Sequence, residues 1–279
     1  MKVSIIGYGF VGKALFNAIK KNVTVQKIDP KLNTHIKDLE KFRPNLIFIS
    51  VPTPMNEDGT QNISILINII EEIKTMNLVS LVVIKSTILP NYVLEIQNIL
   101  QDLVYNPEFL REKHANEDFI SSSLIVFGGT NKATKKLAEF YDEYLDCINK
   151  DYIFTDVVTA ALVKYTINSF LATKVIFFNE IFQLFNASGS SESWETFIKT
   201  LSRDPRIGHS HMNVPGHDKR FGFGGACLPK DSNAIVNYAD SLEANLEILK
   251  TVIKINNRIR AKYNKNTDRE DEQNIFFKD

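Results

Sequence analysis

Cysteine is scarce in this chain: Cys147 and Cys227 are the two thiols among 279 residues, and they lie far apart in sequence. Such a pair argues against a disulfide framework and for a reducing cytoplasm. An excess of either charge is also missing, because Lys plus Arg and Asp plus Glu number 33 each. That balance argues against nucleic acid or an anionic membrane as partner, although it leaves room for a local basic pocket. No apolar run reaches the roughly 18 residues that a membrane span needs. The N-terminus has no basic stretch leading into an apolar core and a small-residue cleavage site. Residues 3–6 make a run of strand length only, so no secretory signal is expected. Internal repeats and low-complexity segments are absent as well.

What remains is an ordinary globular composition, 44% hydrophobic and 24% charged, sufficient for one large domain or two of moderate size. Residues 2–6, 23–28, 46–51, 81–85, 102–105 and 124–127 read as short β-rich runs, with helix-like stretches at 11–20, 63–76 and 92–100 between them. Strands buried on both faces and separated by crossover helices predict a mostly parallel, doubly wound α/β sheet. A helix at 132–144 and a strand at 152–155 close this unit, which gives a first domain over 1–156. From residue 157 to about 186 there is no Gly or Pro, and apolar residues recur at helical spacing. One helix of about 28 residues is expected there, longer than a typical globular helix. Helices at 194–202 and 232–262 follow, separated by a Gly/Pro-rich loop at 208–230, so that 157–263 forms a small all-α domain. The largely polar residues 264–279 are expected to fray as a tail.

Gly7-Tyr8-Gly9-Phe10-Val11-Gly12 follows the first predicted strand directly and opens the first predicted helix. Gly7 permits the tight turn, Gly9 lets the backbone approach a pyrophosphate, and Gly12 lets helix and strand pack closely. Amides at the helix N-terminus, including those of Phe10 and Val11, then meet the phosphate charge. Asp29, 17 positions beyond Gly12, ends the second strand where a carboxylate accepts hydrogen bonds from the adenosine ribose. Because a carboxylate repels a 2′-phosphate, NAD is favoured over NADP, with Lys31 close by as the one contrary sign. A glycine turn of this kind also occurs without ligand, but here strand, helix and acid agree. The first domain is therefore expected to be a Rossmann-like NAD-binding unit.

The second informative stretch is Phe221-Gly222-Phe223-Gly224-Gly225-Ala226-Cys227-Leu228-Pro229-Lys230-Asp231. Glycines crowd the cysteine, so its sulfur can be approached from several sides, and a carboxylate follows four residues later near a helix start. That suits a nucleophilic thiol with a proton-handling neighbour. By spacing alone, a structural loop cysteine is the commoner reading. His209, His211 and His217 cluster in sequence, but they lack the Cys or carboxylate pattern of zinc sites and read as loop histidines, so no metal is expected.

Taken in order, several motifs carry a resemblance. After the glycine turn and Asp29 come Val51-Pro52-Thr53-Pro54 with Asp58-Gly59, then Lys85-Ser86-Thr87, and then Asn106-Pro107-Glu108-Phe109-Leu110-Arg111-Glu112. Lys164 with Asn168, Asp204-Pro205-Arg206-Ile207-Gly208 and the segment around Cys227 complete the series. The chain resembles the UDP-glucose/GDP-mannose dehydrogenase family from Met1 to about residue 257, with the UDP-glucose 6-dehydrogenase branch nearest. The resemblance implies NAD-dependent oxidation of a nucleotide-sugar alcohol to an acid through a thiohemiacetal and thioester on Cys227. It implies cofactor contacts from Pro52, Thr53, Thr87 and Lys230 besides the glycine turn and Asp29. Lys164 and Asn168, four apart on one helix face, are implied to stabilise the developing oxyanion. A solvated lysine is the alternative there, weakened by apolar neighbours. Asp231, working with Lys164, is implied to relay the proton of the first oxidation through a water that Thr87 helps position.

Glu108 is implied to activate water for thioester hydrolysis and Glu112 to order the loop, although carboxylates at i and i+4 also occur as a solvated helix face. Substrate contacts are implied for Phe109, Leu110 and Arg111, and for Phe221 and Gly224, whose loop brings backbone amides near the sugar. Arg206 suits pyrophosphate, since guanidinium bonds phosphate oxygens in bidentate fashion. Homodimerisation through the long helix is implied as well. Members of the family usually carry a third, C-terminal domain that holds much of the nucleotide, and this sequence stops just after the helix leading to it. The segment His217-Asp218-Lys219-Arg220 lengthens the loop before the glycines and is expected to contact phosphate. Two other readings stay open: a binding module that has lost turnover, and a β-hydroxyacid dehydrogenase on the same scaffold, which uses a lysine but no thioester.

Overall fold

A computed structural model describes residues 1–278. The chain divides into two compact units, Met1–Thr53 with Asn62–Lys164, and Pro54–Gln61 with the residues from Tyr165 onward. The first unit alternates strands and helices: β1 (Lys2–Ile6), α1 (Phe10–Ala18), β2 (Thr24–Ile28), α2 (Asp38–Phe42), β3 (Leu46–Ile49), α3 (Ser64–Thr75), β4 (Leu81–Ile84), α4 (Pro90–Ile99), β5 (Leu103–Tyr105), α5 (Ala115–Ile120), β6 (Ile125–Gly129), α6 (Asn131–Tyr144) and β7 (Tyr152–Thr155). Among the described residues these strands form one seven-stranded sheet in the order β2-β1-β3-β4-β5-β6-β7. Its neighbours are parallel except β5 and β6, which pair antiparallel through Val104 with Gly129 and Tyr105 with Gly128.

Alternation along the strands explains why both sheet faces are covered. Val3, Ile5, Phe48, Val83, Val104 and Phe127 pack with Ala14 and Leu15 of α1 and with Leu137 and Phe140 of α6. Their neighbours Ile6, Ile47, Ile49, Val82, Ile84 and Tyr105 point the other way, onto Leu66 and Ile70 of α3 and Val93 and Ile96 of α4. Each fully buried Val, Leu, Ile or Phe contributes roughly 1.5–3 kcal/mol relative to exposure. The doubly wound α/β expectation is met. The order β2-β1-β3 makes the carboxyl ends of β1 and β3 the topological switch point, where ligands bind in open α/β sheets.

The long helix α7 (Val157–Ala187) runs 31 residues and belongs to both units. Its first turn packs on the sheet: a Cβ at Gly128 of β6 would come within 2.6 Å of the Ala160 Cβ. No uninterrupted apolar run reaches 18 residues, but an 18-residue window of α7 has a mean hydropathy of 1.2, enough to cross a membrane by length and composition alone. Polar partners tie it to the protein instead. Lys174 is buried and donates to the Ile207 carbonyl at 2.8 Å, and Asn179 accepts from the Gly222 amide at 3.0 Å.

In the second unit α8 (Trp194–Leu201), α9 (Leu228–Ser241), α10 (Glu247–Arg260) and α11 (Asp268–Asp271) follow. Ala172 and Ile176 of α7 pack with Phe223 and Val252, and Phe178 packs with Met212, Val214, Trp194 and Ile198. Two sequence expectations fail here. The single helix at 232–262 is broken into α9 and α10, because Glu243 adopts a left-handed φ of 57° and the Ala244 amide turns back to the Ala239 carbonyl at 2.9 Å. Residues 264–278 do not form a frayed tail: Thr267 caps α11 in a capping box with Glu270, Ile275 is buried, and the Gln273 carbonyl accepts from the Met55 amide at 3.1 Å.

Candidate functional site

The first unit holds the glycine turn at the switch point. Gly7 has φ +85° and a Cβ there would lie 2.6 Å from the Ser50 carbonyl, so the turn sits hard against the end of β3. A Cβ on Gly12 would collide with the Gly7 carbonyl oxygen, whereas one on Gly9 would meet nothing within 4 Å. Gly9 caps α1 without a side-chain hydrogen bond, and the first turn of the helix carries no acidic side chain. Phe10 is exposed and Val11 half-buried. The Asp29 carboxylate accepts from the Tyr8 amide at 2.7 Å and the Lys31 amide at 2.9 Å, which fixes the acid beside the turn. An open backbone at Gly9, a first helical turn without acidic side chains and an anchored acid at the end of β2 fit a dinucleotide. Pro52 is exposed, and buried Thr53 donates its hydroxyl to the carbonyl of half-buried Thr87 at 2.8 Å.

Beyond β5, Glu108 is held from two sides. Its Oε2 pairs with Lys85 Nζ at 2.8 Å and its Oε1 accepts from the Phe109 amide at 3.0 Å. Lys85 also donates to Asn106 Oδ1 at 2.9 Å, and Tyr141 donates to the same oxygen at 2.6 Å. Burial first, and then the Glu108 charge, holds the Tyr141 phenol well above its usual range. Lys85, Asn106 and Tyr141 were not assigned roles by the sequence reading. The signal was a lysine directly after the four buried residues of β4, where a solvated charge is out of place. Lys164, buried on α7, donates to the Glu108 backbone carbonyl at 2.5 Å and lies 5.2 Å from the Phe109 ring centre. Leu110 and Glu112 are half-buried on the following turn. Arg111 is exposed and grips Asp118 through Nε at 2.9 Å and Nη2 at 2.7 Å, which holds the Asp118 carboxyl below its usual range.

The second unit holds the thiol. Cys227 is exposed and is the N-cap residue of α9, a helix of 14 residues. One turn in, Asp231 is almost fully buried, and its amide donates to the Cys227 carbonyl at 2.8 Å. The Asp231 carboxylate accepts from Asn168 Nδ2 and from Lys230 Nζ, each at 2.5 Å. Lys230, expected at the cofactor, is thus placed on Asp231. Lys164 and Asn168 sit one turn apart on α7, and the boundary between the two units falls between them. The other cysteine differs in kind: Cys147 is buried against the Phe119 carbonyl, and burial pushes its thiol up to about 11.

Phe221 is exposed and Gly224 half-buried, and the amides of Phe221, Gly222, Phe223 and Gly225 are bonded to side chains of the protein itself. Phe221 donates to the Tyr263 hydroxyl at 2.8 Å and Phe223 to Asn256 Oδ1 at 2.7 Å. Asp218, from the lengthened part of the loop, accepts from Arg260 at 2.7 Å. Arg206 is exposed and paired with Asp204 at 2.6 Å. Exposed pairs of this kind exchange for a ligand at little cost. Among the described residues, no group of three His, Cys, Asp or Glu side chains is close enough to hold a metal ion.

Fold and site together define a dinucleotide-binding α/β protein joined to a helical unit that presents a thiol beside a buried carboxylate. A family model described as the UDP-glucose/GDP-mannose dehydrogenase family, NAD binding domain, matches residues 31–145, and the central-domain model of the same family matches 158–258. The chain belongs to this family, and NAD is the dinucleotide its first unit serves. It is 36% identical over 231 residues to UDP-glucose 6-dehydrogenase of Rickettsia felis, covering 80% of this chain and 50% of that one. With the same enzyme of Rickettsia typhi it shares 36% over 300 residues, 92% of this chain and 67% of the relative. The chain thus spans about half the length of the Rickettsia felis relative. Among solved structures, a UDP-glucose dehydrogenase from Pyrobaculum islandicum superposes with a TM-score of 0.74 at 25% identity, over 92% of this chain and 68% of that one.

Proposed function

We propose that the protein oxidises the C6 alcohol of a nucleotide-linked hexose to a carboxylate, with UDP-glucose as the substrate. The observation that carries this reading is the exposed Cys227 at the start of α9 with Asp231 buried one turn in and bonded to Asn168 and Lys230. The glycine turn and Asp29 would hold NAD, which would supply the hydride acceptor for each of two successive oxidations. Asp231 draws the hydroxyl proton through a water that Thr87 positions, and loss of the first hydride leaves an aldehyde. The Cys227 sulfur then bonds to the aldehyde carbon, its proton passing to the oxygen, to give a thiohemiacetal. Lys164 and Asn168 supply the ammonium and amide that favour the developing oxyanion. Loss of the second hydride and the hydroxyl proton yields a thioester, and water activated by Glu108 breaks the carbon–sulfur bond. One alcohol, two NAD and one water thereby become one carboxylate, two NADH and three protons, and the thiol is restored.

In this reading Arg111 and Arg206 leave their aspartates to meet the diphosphate, while Phe109, Leu110, Glu112, Phe221 and Gly224 border the sugar. The same reading has the protein acting in the cytoplasm as a homodimer. Support for the dimer comes from α7, where Phe170, Phe177 and Leu184 recur at seven-residue spacing and stay exposed. The test is a screen of UDP- and GDP-sugars for NAD reduction with the purified protein. UDP-glucose should give two NADH per acid formed, and Cys227→Ser should abolish acid production while leaving the first hydride transfer. No turnover with any sugar nucleotide, or acid production by Cys227→Ser, refutes the proposal.

A further inference from the structure

The loop that delivers Cys227 is rich in glycine, with Gly222 at φ +75° and Gly225 at φ +77°, so its own backbone gives it little rigidity. Its position must be imposed from outside, and the hydrogen bonds show by what. Phe221, Gly222, Phe223 and Gly225 each donate a backbone N–H to a side chain: Tyr263, Asn179, Asn256 and Glu270 in turn. Asn179 lies on α7, Asn256 on α10 and Tyr263 three residues beyond α10. Glu270 is different, because it comes from α11 in the segment that the sequence marks as a polar tail.

Glu270 is fully buried, and so is the Arg260 side chain that clamps it. Its Oε1 accepts from Arg260 Nη2 at 2.5 Å and from the Gly225 amide at 3.1 Å, and its Oε2 accepts from the Thr267 amide at 2.7 Å. Arg260 spends its other terminal nitrogen on Asp218 at 2.7 Å, at the start of the same loop. Arg220 adds a second tie by donating to the Lys265 carbonyl at 2.7 Å. The pair also explains Gly224, where any Cβ would strike both Arg260 Nη2 and Glu270 Oε1. A buried ion pair adds little net stability over apolar packing of the same volume. Its value lies in direction: it points one carboxylate oxygen at one amide, two residues before the thiol.

We propose that Glu270 is a positioning residue for Cys227: clamped by Arg260, it holds the Gly225 amide and so fixes the loop that sets the sulfur at the start of α9. The importance of this position rests on the nucleophilic role read for Cys227 above, but the test needs no turnover. In the wild-type protein, without ligand, amide exchange of peptide 221–227 should be slowed about tenfold or more relative to an unstructured peptide. Glu270→Asp keeps the charge beside Arg260 but withdraws it from Gly225, and Glu270→Gln keeps the shape but removes the charge. In both, exchange of 221–227 should quicken, and carboxamidomethylation of Cys227 by iodoacetamide, followed by mass, should slow about fivefold as the first turn of α9 loosens. Thr267→Val, which removes only the cap hydroxyl, should leave the alkylation rate within about twofold of wild type. Unprotected exchange of 221–227 in the wild-type protein overturns the proposal, and so do exchange and alkylation rates unchanged in a folded Glu270→Asp or Glu270→Gln. A protein that turns over no sugar nucleotide yet passes these tests sinks the activity and leaves the positioning role standing.

Discussion

Lys85→Met isolates the ion pair that holds Glu108. The lysine side chain is 1% exposed and the Glu108 side chain 11%, so the pair is buried but touches water on the carboxylate side. Removing one partner of a buried pair costs about 3–5 kcal/mol. Two features put this case near the lower end. The residual exposure lets water reach the stranded carboxylate, and Asn106 Oδ1, which loses Lys85 as a donor, keeps Tyr141 at 2.6 Å. Methionine fills the space of the lysine stem without a charge, so little cavity term is added. We expect a loss of about 3 kcal/mol, which corresponds to a fall in melting temperature of roughly 6–12 °C for a domain of this size. The lone tryptophan, Trp194, lies in the other unit, so its fluorescence reports the wrong part of the molecule. Amide exchange of β4 and β5 peptides is the suitable assay. Combining Lys85→Met with Glu108→Gln should recover about 2 kcal/mol, because the stranded charge is gone. A single-variant cost below about 1 kcal/mol, or strict additivity in the double variant, refutes the argument that the pair is a buried, coupled unit.

How far the sequence could be read follows from which interactions are local. The glycine turn was legible because three constraints coincide within six residues: a strand before, a helix after, and close backbone approach at Gly7 and Gly12. Strand alternation exposed the two faces of the sheet for the same reason, since period two is written in adjacent residues. Asp231 was legible as a residue one turn from Cys227, but its hold on Lys230 was not, because neighbours i and i+1 do not ordinarily face each other on a helix. Lys85 was visible only as part of a motif; its partner Glu108 lies across the sheet from β4 to the end of β5. The break between α9 and α10 was missed because Glu243, not glycine, takes the left-handed conformation, and nothing in its residue type announces that. The difference at residues 264–278 has the same origin. Polar composition suggested fraying, yet Glu270 is buried by partners at Arg260 and Gly225, up to 45 positions away in sequence.

Two further outcomes test the local physics directly. At pH 7.5 iodoacetamide should label Cys227 and spare Cys147, since burial both shields the Cys147 sulfur and pushes its thiol up to about 11; equal labelling of both in the folded protein, read by mass, would contradict the burial of Cys147 against the Phe119 carbonyl. Asp156 stands immediately before α7 and accepts from the Thr159 amide at 2.9 Å and the Thr159 hydroxyl at 2.6 Å, so Asp156→Ala should cost about 1 kcal/mol, a fall of roughly 2–4 °C in melting temperature. Those hydrogen bonds hold the Asp156 carboxyl below its usual 3.8, so the contribution is present above that value and is lost as the pH falls through the lower folded one. The melting gap between wild type and variant should therefore be full at neutral pH and close only below about pH 4. A gap that stays constant down to pH 2 would mean that the Asp156 carboxylate is not what caps the helix carrying Lys164 and Asn168.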